Sequence, residues 1–400
     1  MISNRPTASK CVACGSAQLL ASVTRPSLPV MQNRVYSTAA EALSAMRAPF
    51  TLATCARCGF TFNSAFDPSV LVYDEHYDNR VPSDLFAGYY ASVAHQLSQR
   101  YNLSDGLVVE IGCGKGAFLA ALAREWPACR FLGVDPGYEP EFGSVANVRF
   151  IADVFRPEHI EEKPSLVVCR HTLEHVEAPV AFLRGIRGAL PGGVPTYLEV
   201  PDLRWIVESR AFWDFCYEHC NYFTRVTLAN IVERAGFQTV ARGVGFGNQY
   251  LWLEAVTGES GESTAEPRAE HSLETCRDLR QYSQSESRQI ADAKAAISAE
   301  KSRGVAVCLW GMATKGVVFS YLVDPDGVLL RHCIDVNTNK QGKYSPGSAH
   351  LIEPPEVLRT ARGEVLILVM NPNYLREIRA KCCDLQVAAR FADALCRPLT

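Results

Sequence analysis

No uninterrupted apolar stretch in this 400-residue chain reaches the roughly 18 residues a membrane span needs, so no membrane is expected as a partner. Charge of one sign is missing too. Lys and Arg number 40 against 43 Asp and Glu, a formal net charge of -3. A phosphate-backbone binder carries a basic excess, so nucleic acid is not an expected partner either. The opening residues MISNRPTASK contain no apolar run of the kind that starts a secretory signal, which points to a cytoplasmic chain. What the chain has in plenty is cysteine, 15 of them. Disulfide frameworks belong to small exported domains, and this chain is long enough for about two to four domains with cores of their own. Its thiols are therefore expected as reduced core residues, metal ligands or reactive groups.

Four cysteines repeat a pattern: Cys11-Val-Ala-Cys14-Gly15 and Cys55-Ala-Arg-Cys58-Gly59. Two such pairs supply the four thiolates of a tetrahedral zinc site, each pair spanning one edge. The glycine after each pair lets the backbone fold tightly under the metal and aim N–H groups at the sulfurs. Four thiolates leave no open position for water, so the role expected is structural; iron in the same cage and two reduced pairs are the alternatives. Cysteines inside apolar runs, such as Cys169 and Cys308, read as small buried hydrophobes.

Beyond about residue 75 the pattern changes. Strand-like runs at 107–111, 130–134, 166–169 and 196–200 alternate with helical stretches, the signature of a parallel sheet covered on both faces. Runs at 238–243 and 250–256 are expected to complete that sheet as an antiparallel pair. Residues 257–270 read as a polar linker and 271–302 as a helix, after which a second α/β unit begins at Val305. The fold expected is α/β: a small cysteine-bearing unit over 1–75, a Rossmann-like sheet over 76–260, a linker and helix over 261–303 and a second Rossmann-like unit over 304–400. A monomer is expected.

Val108-Val-Glu110-Ile-Gly112-Cys-Gly114-Lys-Gly116 delivers a strand into a G-x-G-x-G loop that opens a helix. Glycines let a ligand lie on bare backbone at a helix N-terminus. The acid two residues before the first glycine would repel a pyrophosphate but suits the α-ammonium of S-adenosylmethionine. Asp135 ends the next strand, where an acid can accept both ribose hydroxyls. Asp153 follows where an adenine amino group would lie. Loop and three acids in register point to S-adenosylmethionine as the cofactor.

Ligands in open parallel sheets lie beyond the carboxyl ends of the strands. There the chain offers Arg170-His171-Thr-Leu-Glu174-His175 and, further on, Cys216-Tyr217-Glu218-His219 among aromatics. His171 is expected to line the cofactor pocket and His175 to serve structure. His219, beside a carboxylate in an apolar setting, is the candidate general base, with a satisfied core histidine as its alternative.

These motifs, taken in order with Gly311-Met-Ala-Thr-Lys315-Gly316, the stretch Asp335 to Gly347 and Asn371-Pro-Asn373-Tyr374, resemble the three-domain zinc-containing C-methyltransferases. That family modifies nucleotide-linked 4-keto deoxy sugars at carbon 3. The resemblance implies that His219 removes the proton α to a ketone, that Glu218 orients or tunes its imidazole, and that the enolate takes the methyl group. The family reads Tyr-His-Glu-His where this chain has Cys216-Tyr217-Glu218-His219, so Tyr217 is expected to stand in for the missing tyrosine. Tyr77, at the end of the first unit, is expected to close the site. The substrate implied is a small molecule, nucleotide-linked. An O- or N-methyltransferase on another biosynthetic small molecule and a non-catalytic scaffold subunit are the rival readings. The Gly311–Gly316 loop either cradles phosphate or merely packs helix on strand.

Overall fold

A computed structural model describes residues 7–73, 76–101, 103–138, 147–258 and 269–400. Most of the expected linker (residues 259–268), with the boundary expected at 260/261, lies outside the described residues. Three sheets organise the chain.

The first is antiparallel and four-stranded: Leu19–Pro29, Arg47–Cys55, Thr61–Asn63 and Asn221–Tyr222. Its strands are richer in structure than a turn-rich, metal-centred unit requires. Phe50, Leu52 and Phe62 are buried from them into two of the large apolar cores. The fourth strand comes from the segment directly after His219, so the stretch carrying the candidate base is stitched to the cysteine-bearing sheet by backbone hydrogen bonds.

The second sheet has seven strands. In spatial order they are Val148–Ile151, Arg130–Val134, Leu107–Ile111, Pro164–Arg170, Pro195–Pro201, Tyr250–Thr257 and Phe237–Gly245. Numbered along the chain within this sheet, the order is 3-2-1-4-5-7-6, with only the seventh strand antiparallel. Leu107–Ile111 is buried along its whole length, as a central parallel strand flanked by helices must be. The strand order reverses between Leu107–Ile111 and Pro164–Arg170, and such a switch point opens a crevice beyond the strand ends.

The third sheet is all parallel, in the order Ile352–Glu353, His332–Ile334, Ala306–Trp310, Val365–Val369 and Ala389–Asp393. The 34-residue helix Ala269–Ser302 leads into it. Its buried positions Thr275, Leu279, Tyr282, Glu286, Gln289, Ala293 and Ile297 recur every three or four residues, a single stripe. That stripe packs on Leu19–Pro29 and Ala306–Trp310, tying the first sheet to the third. Among the described residues no helix is long and apolar enough to cross a membrane.

Candidate active site

The glycine loop has the geometry a bare-backbone cradle needs. Gly112, Gly114 and Gly116 have φ of +75°, +53° and +82°, where a Cβ is strained. A Cβ at Gly112 would meet Thr172 Oγ1 at 1.8 Å and one at Gly116 the Phe150 ring at 2.6 Å, whereas at Gly114 it would enter open space. The outer two glycines answer to packing, and the middle one keeps the loop face clear. The Gly114 N–H donates to Asp135 Oδ2 at 2.8 Å and the Gly137 N–H to Asp135 Oδ1 at 2.7 Å. Those bonds fix the carboxylate and leave each oxygen a second lone pair. Glu110 is buried and its Oε2 has no partner. Burial pushes its pKa up to about 8 against the pull of the Arg170 guanidinium. A buried, unpaired carboxyl at the head of the loop suits a ligand ammonium. Asp153 is more occupied than expected. It accepts from the Val154 N–H and pairs with Arg156. Tyr138 stacks on Phe150 with centroids 4.1 Å apart beside this end of the loop.

Beyond strand Pro164–Arg170 the chain turns sharply at His171, whose φ is +49°. The ring is held between two acids, Nδ1 3.4 Å from Glu174 Oε1 and Nε2 3.0 Å from Glu199 Oε1. Burial opposes its charge, but the two carboxylates prevail and raise its pKa to about 9. Glu199 also receives two hydrogen bonds from Arg170, at 3.1 and 2.6 Å, and others from the Tyr89 and Tyr197 hydroxyls. Burial works against its ionised form, yet Arg170 holds it down at about 2.

His219 is half-buried, two residues before strand Asn221–Tyr222 of the first sheet and against His175 from the turn after Pro164–Arg170 of the second. Burial, then the nearby His175, lowers its pKa to about 3, so the ring is neutral and able to accept a proton. His175, expected to serve structure, stands against it with ring centroids 4.9 Å apart. The His175 Nδ1–H donates to the Glu218 carbonyl at 3.0 Å. One ligand-type atom each of Glu174, His175 and His219 lies within 4.8 Å of the others.

Glu218 is placed differently from its expected role. Its carboxylate accepts from the Gln32 N–H at 2.8 Å and from the Tyr77 hydroxyl, so it faces the first unit, and the carboxylate clustered with His219 is Glu174. Tyr217 and Glu218 lie in a bend of the chain, which turns the Glu218 carboxylate toward Gln32 and away from the adjacent imidazole. Tyr77 lies against Glu218, and burial with that carboxylate raises its pKa well above normal. The Tyr217 ring packs on Phe66 and its hydroxyl accepts from the Asp67 N–H at 2.9 Å. Cys216 is fully buried in the core with Phe212, Phe215 and Tyr222.

Cys11, Cys14, Cys55 and Cys58 form one cluster with sulfurs within 4.8 Å of one another. The pairs Cys11–Cys58 and Cys14–Cys55 are 3.7 and 3.6 Å apart. A zinc tetrahedron with 2.3 Å bonds has sulfur–sulfur edges of about 3.8 Å, so the residues present fit that metal. Gly15 and Gly59, at φ of +74° and +71°, donate to the Cys11 and Cys55 carbonyls and close the two knuckles.

The Gly311–Gly316 turn serves packing. A Cβ on Gly316 would meet the Gly311 carbonyl oxygen at 2.1 Å, and Lys315 pairs with Asp214 and lies 5.0 Å over the Trp205 ring. Lys340 is buried, its ammonium donating to Asn33 Oδ1 at 2.9 Å. Sequence reasoning missed Glu174 and His175 as neighbours of the base. The spacing His171-x-x-Glu174-His175 was the available signal, since one helical turn after a strand puts those groups on one side.

Comparison with known proteins agrees with this layout. A family model described as a methyltransferase domain matches residues 81–242, and one described as a C-methyltransferase C-terminal domain matches 258–390. The C-methyltransferase NovU of Streptomyces niveus is 27% identical over 393 residues, covering 92% of this chain and 91% of its own. The chain is an S-adenosylmethionine-dependent C-methyltransferase. A ubiquinone biosynthesis O-methyltransferase of Pseudomonas fluorescens is 30% identical to the C-methyltransferase over 107 residues, 24% of this chain and 45% of its own. Among solved structures, magnesium protoporphyrin IX methyltransferase of Synechocystis aligns over 45% of this C-methyltransferase and 90% of its own chain, at 20% identity and a TM-score of 0.36.

Proposed function

We propose that this C-methyltransferase methylates the carbon α to the ketone of a nucleotide-linked deoxy sugar, with His219 as general base. The observation that carries the reading is the half-buried, neutral His219 imidazole between the first and second sheets, among Glu174, His175 and the aromatic segment before it. Glu110 would take the ammonium of S-adenosylmethionine, the bare loop Gly112–Gly116 its methionine part and Asp135 its ribose. When bound, that cosubstrate supplies an electrophilic methyl group. A ring nitrogen of His219 would accept the α-proton, leaving its C–H electron pair in an enolate whose carbon would take the methyl group that the cosubstrate would supply. Holding the two carbons in line accounts for most of the acceleration in such a transfer. Tyr77 and the carboxyl of Glu218 line the acceptor side, and Tyr217 supports that wall through Phe66 and Asp67.

The four cysteines are assigned to a structural zinc ion. The acceptor class is taken from the motif resemblance to the C-methyltransferases of nucleotide-linked sugars, and the proposed division into units at 1–75, 76–260, 261–303 and 304–400 follows it. The test is deuterium wash-in at the α-carbon. Nucleotide-linked 4-keto deoxy sugars incubated in heavy water should exchange that hydrogen with the wild type and not with His219→Ala. Methyl transfer without any α-exchange would favour transfer to oxygen or nitrogen instead.

A further inference from the structure

Burial has left His219 a poor base. A ring lowered to about 3 takes a proton from carbon only if something stabilises the imidazolium that results. His175, His171 and Lys315 all face it and all oppose that charge, as burial does. On its own segment Glu218 gives Oε2 to the Gln32 N–H and accepts from Tyr77; its Oε1 is buried without a partner, but the carboxylate is not in the cluster with His219. One acid remains that acts in the other direction. Glu174 sits in the turn 173–175, is 1% exposed, and has an oxygen within the same 4.8 Å cluster as ring nitrogens of His175 and His219. Its Oε1 faces the His171 ring, while its Oε2 is buried without a hydrogen-bond partner. A buried acceptor with a spare oxygen is costly unless it serves a donor during turnover.

We infer that Glu174 is the positioning residue of the base: it accepts the ring N–H of His219, fixes the tautomer that turns the other nitrogen toward the acceptor carbon, and stabilises the imidazolium. The inference rests on the reading of His219 as the base. The α-proton stays on His219, Glu174 remains ionised throughout, and the proton leaves for solvent once product departs. His171 keeps Glu174 ionised: burial pushes this carboxyl up, but the His171 hydrogen bond holds it below the usual range. His171 is itself clamped by Glu199, so the chain Glu199–His171–Glu174 runs from the cofactor side of the sheet to the base.

The test uses the full-length chain with isotopically labelled histidine, so it does not depend on knowing the acceptor. Ring nitrogen resonances report the tautomer, and His219→Gln assigns them. In the wild type His219 should hold one tautomer with a strongly deshielded ring proton. In Glu174→Gln that proton should move upfield and both tautomers should populate, while Glu218→Gln leaves them as they were. If Glu174→Gln fails to fold, Glu174→Asp, with its shorter reach, should show the same upfield movement, and the wild-type proton alone still tests the bond. An unshifted His219 signal in a folded Glu174 variant, or no deshielded proton in the wild type, overturns the inference. With a 4-keto sugar as probe, Glu174→Gln should slow α-exchange about 10²-fold or more while KM changes less than about threefold, the pattern expected when a carboxylate that fixes an imidazole's tautomer is neutralised. Absence of exchange in the wild type would sink the acceptor reading and leave the tautomer result standing.

Discussion

Arg25, from the first sheet, and Glu286, from the long helix, form a buried ion pair with Nη2 and Oε2 3.0 Å apart. The same guanidinium donates to the Phe215 carbonyl at 2.7 Å and the Phe212 carbonyl at 2.8 Å, so one side chain holds the segment that leads to His219. Removing one member of a buried pair strands the other charge and costs about 3–5 kcal/mol. Arg25→Met should therefore lower the urea midpoint strongly. The double variant Arg25→Met/Glu286→Met should recover much of the loss, because no charge is left buried. Equal midpoints for wild type and Arg25→Met would show that the carbonyls hold the segment without it.

Glu110 ties cofactor affinity to pH. Its carboxyl, raised to about 8, is mostly protonated at neutral pH in the unliganded protein, and an ammonium needs it ionised. Binding below pH 8 must then release a proton, so affinity should rise up to about tenfold per pH unit toward 8. Above 8 the ligand's own α-amino group, with a pKa of about 8, loses its charge and affinity should fall again. For stability the sign is reversed: an acid whose folded pKa lies above its unfolded one costs stability as pH rises from about 4.5 to 8 and no more beyond. Titration calorimetry in buffers of different ionisation heat checks the proton count. Glu110→Gln should remove the rising limb and weaken binding about 10- to 100-fold.

The meeting of strand Leu107–Ile111, the glycine loop, Glu110 and Asp135 was legible in the sequence because these follow one another along the chain, each within a strand or turn that sets its direction. The cysteine pairs were legible for the same reason. Glu174, His175 and His219 were not, because their meeting depends on Asn221–Tyr222 joining the first sheet, a pairing between segments more than 150 residues apart. Lys315 illustrates the same limit. A lysine in a glycine turn reads as a phosphate ligand until Asp214, 101 residues away in sequence, is found against it.

Loss of metal should reach further than the cysteine knuckles. Cys55 ends the strand that pairs with Thr61–Asn63, which in turn pairs with Asn221–Tyr222. With zinc bound, one ion per chain is expected by elemental measurement. Chelation or Cys55→Ser should lower amide protection over residues 47–63 and 221–222 together, and turnover with it. Affinity for S-adenosylmethionine should fall less than turnover: Leu107, Val109 and Ile111 share a core with Cys11, Cys55 and Cys58, but Val108, Cys113 and Phe118 around the glycine loop pack in another. Loss of cofactor affinity in parallel with protection would mean that the two sheets fold as one unit.

Restoring the family's tyrosine at position 216 should fail. Cys216 is fully buried among Phe212, Phe215 and Tyr222, and both its backbone groups are taken by the Tyr222 hydroxyl: its N–H donates at 3.1 Å and its carbonyl accepts at 3.1 Å. A phenol ring has no room there, and overpacking of a filled core costs about 1–3 kcal/mol, more where the backbone must shift. The displaced ring would press on Tyr222, and through it on the edge strand that carries the base into place. Cys216→Tyr should therefore lower the melting temperature by several degrees or more and reduce turnover, whereas Cys216→Ala should cost only about 1 kcal/mol and leave turnover nearly unchanged. A stable Cys216→Tyr protein with faster α-exchange would show instead that position 216 reaches the acceptor.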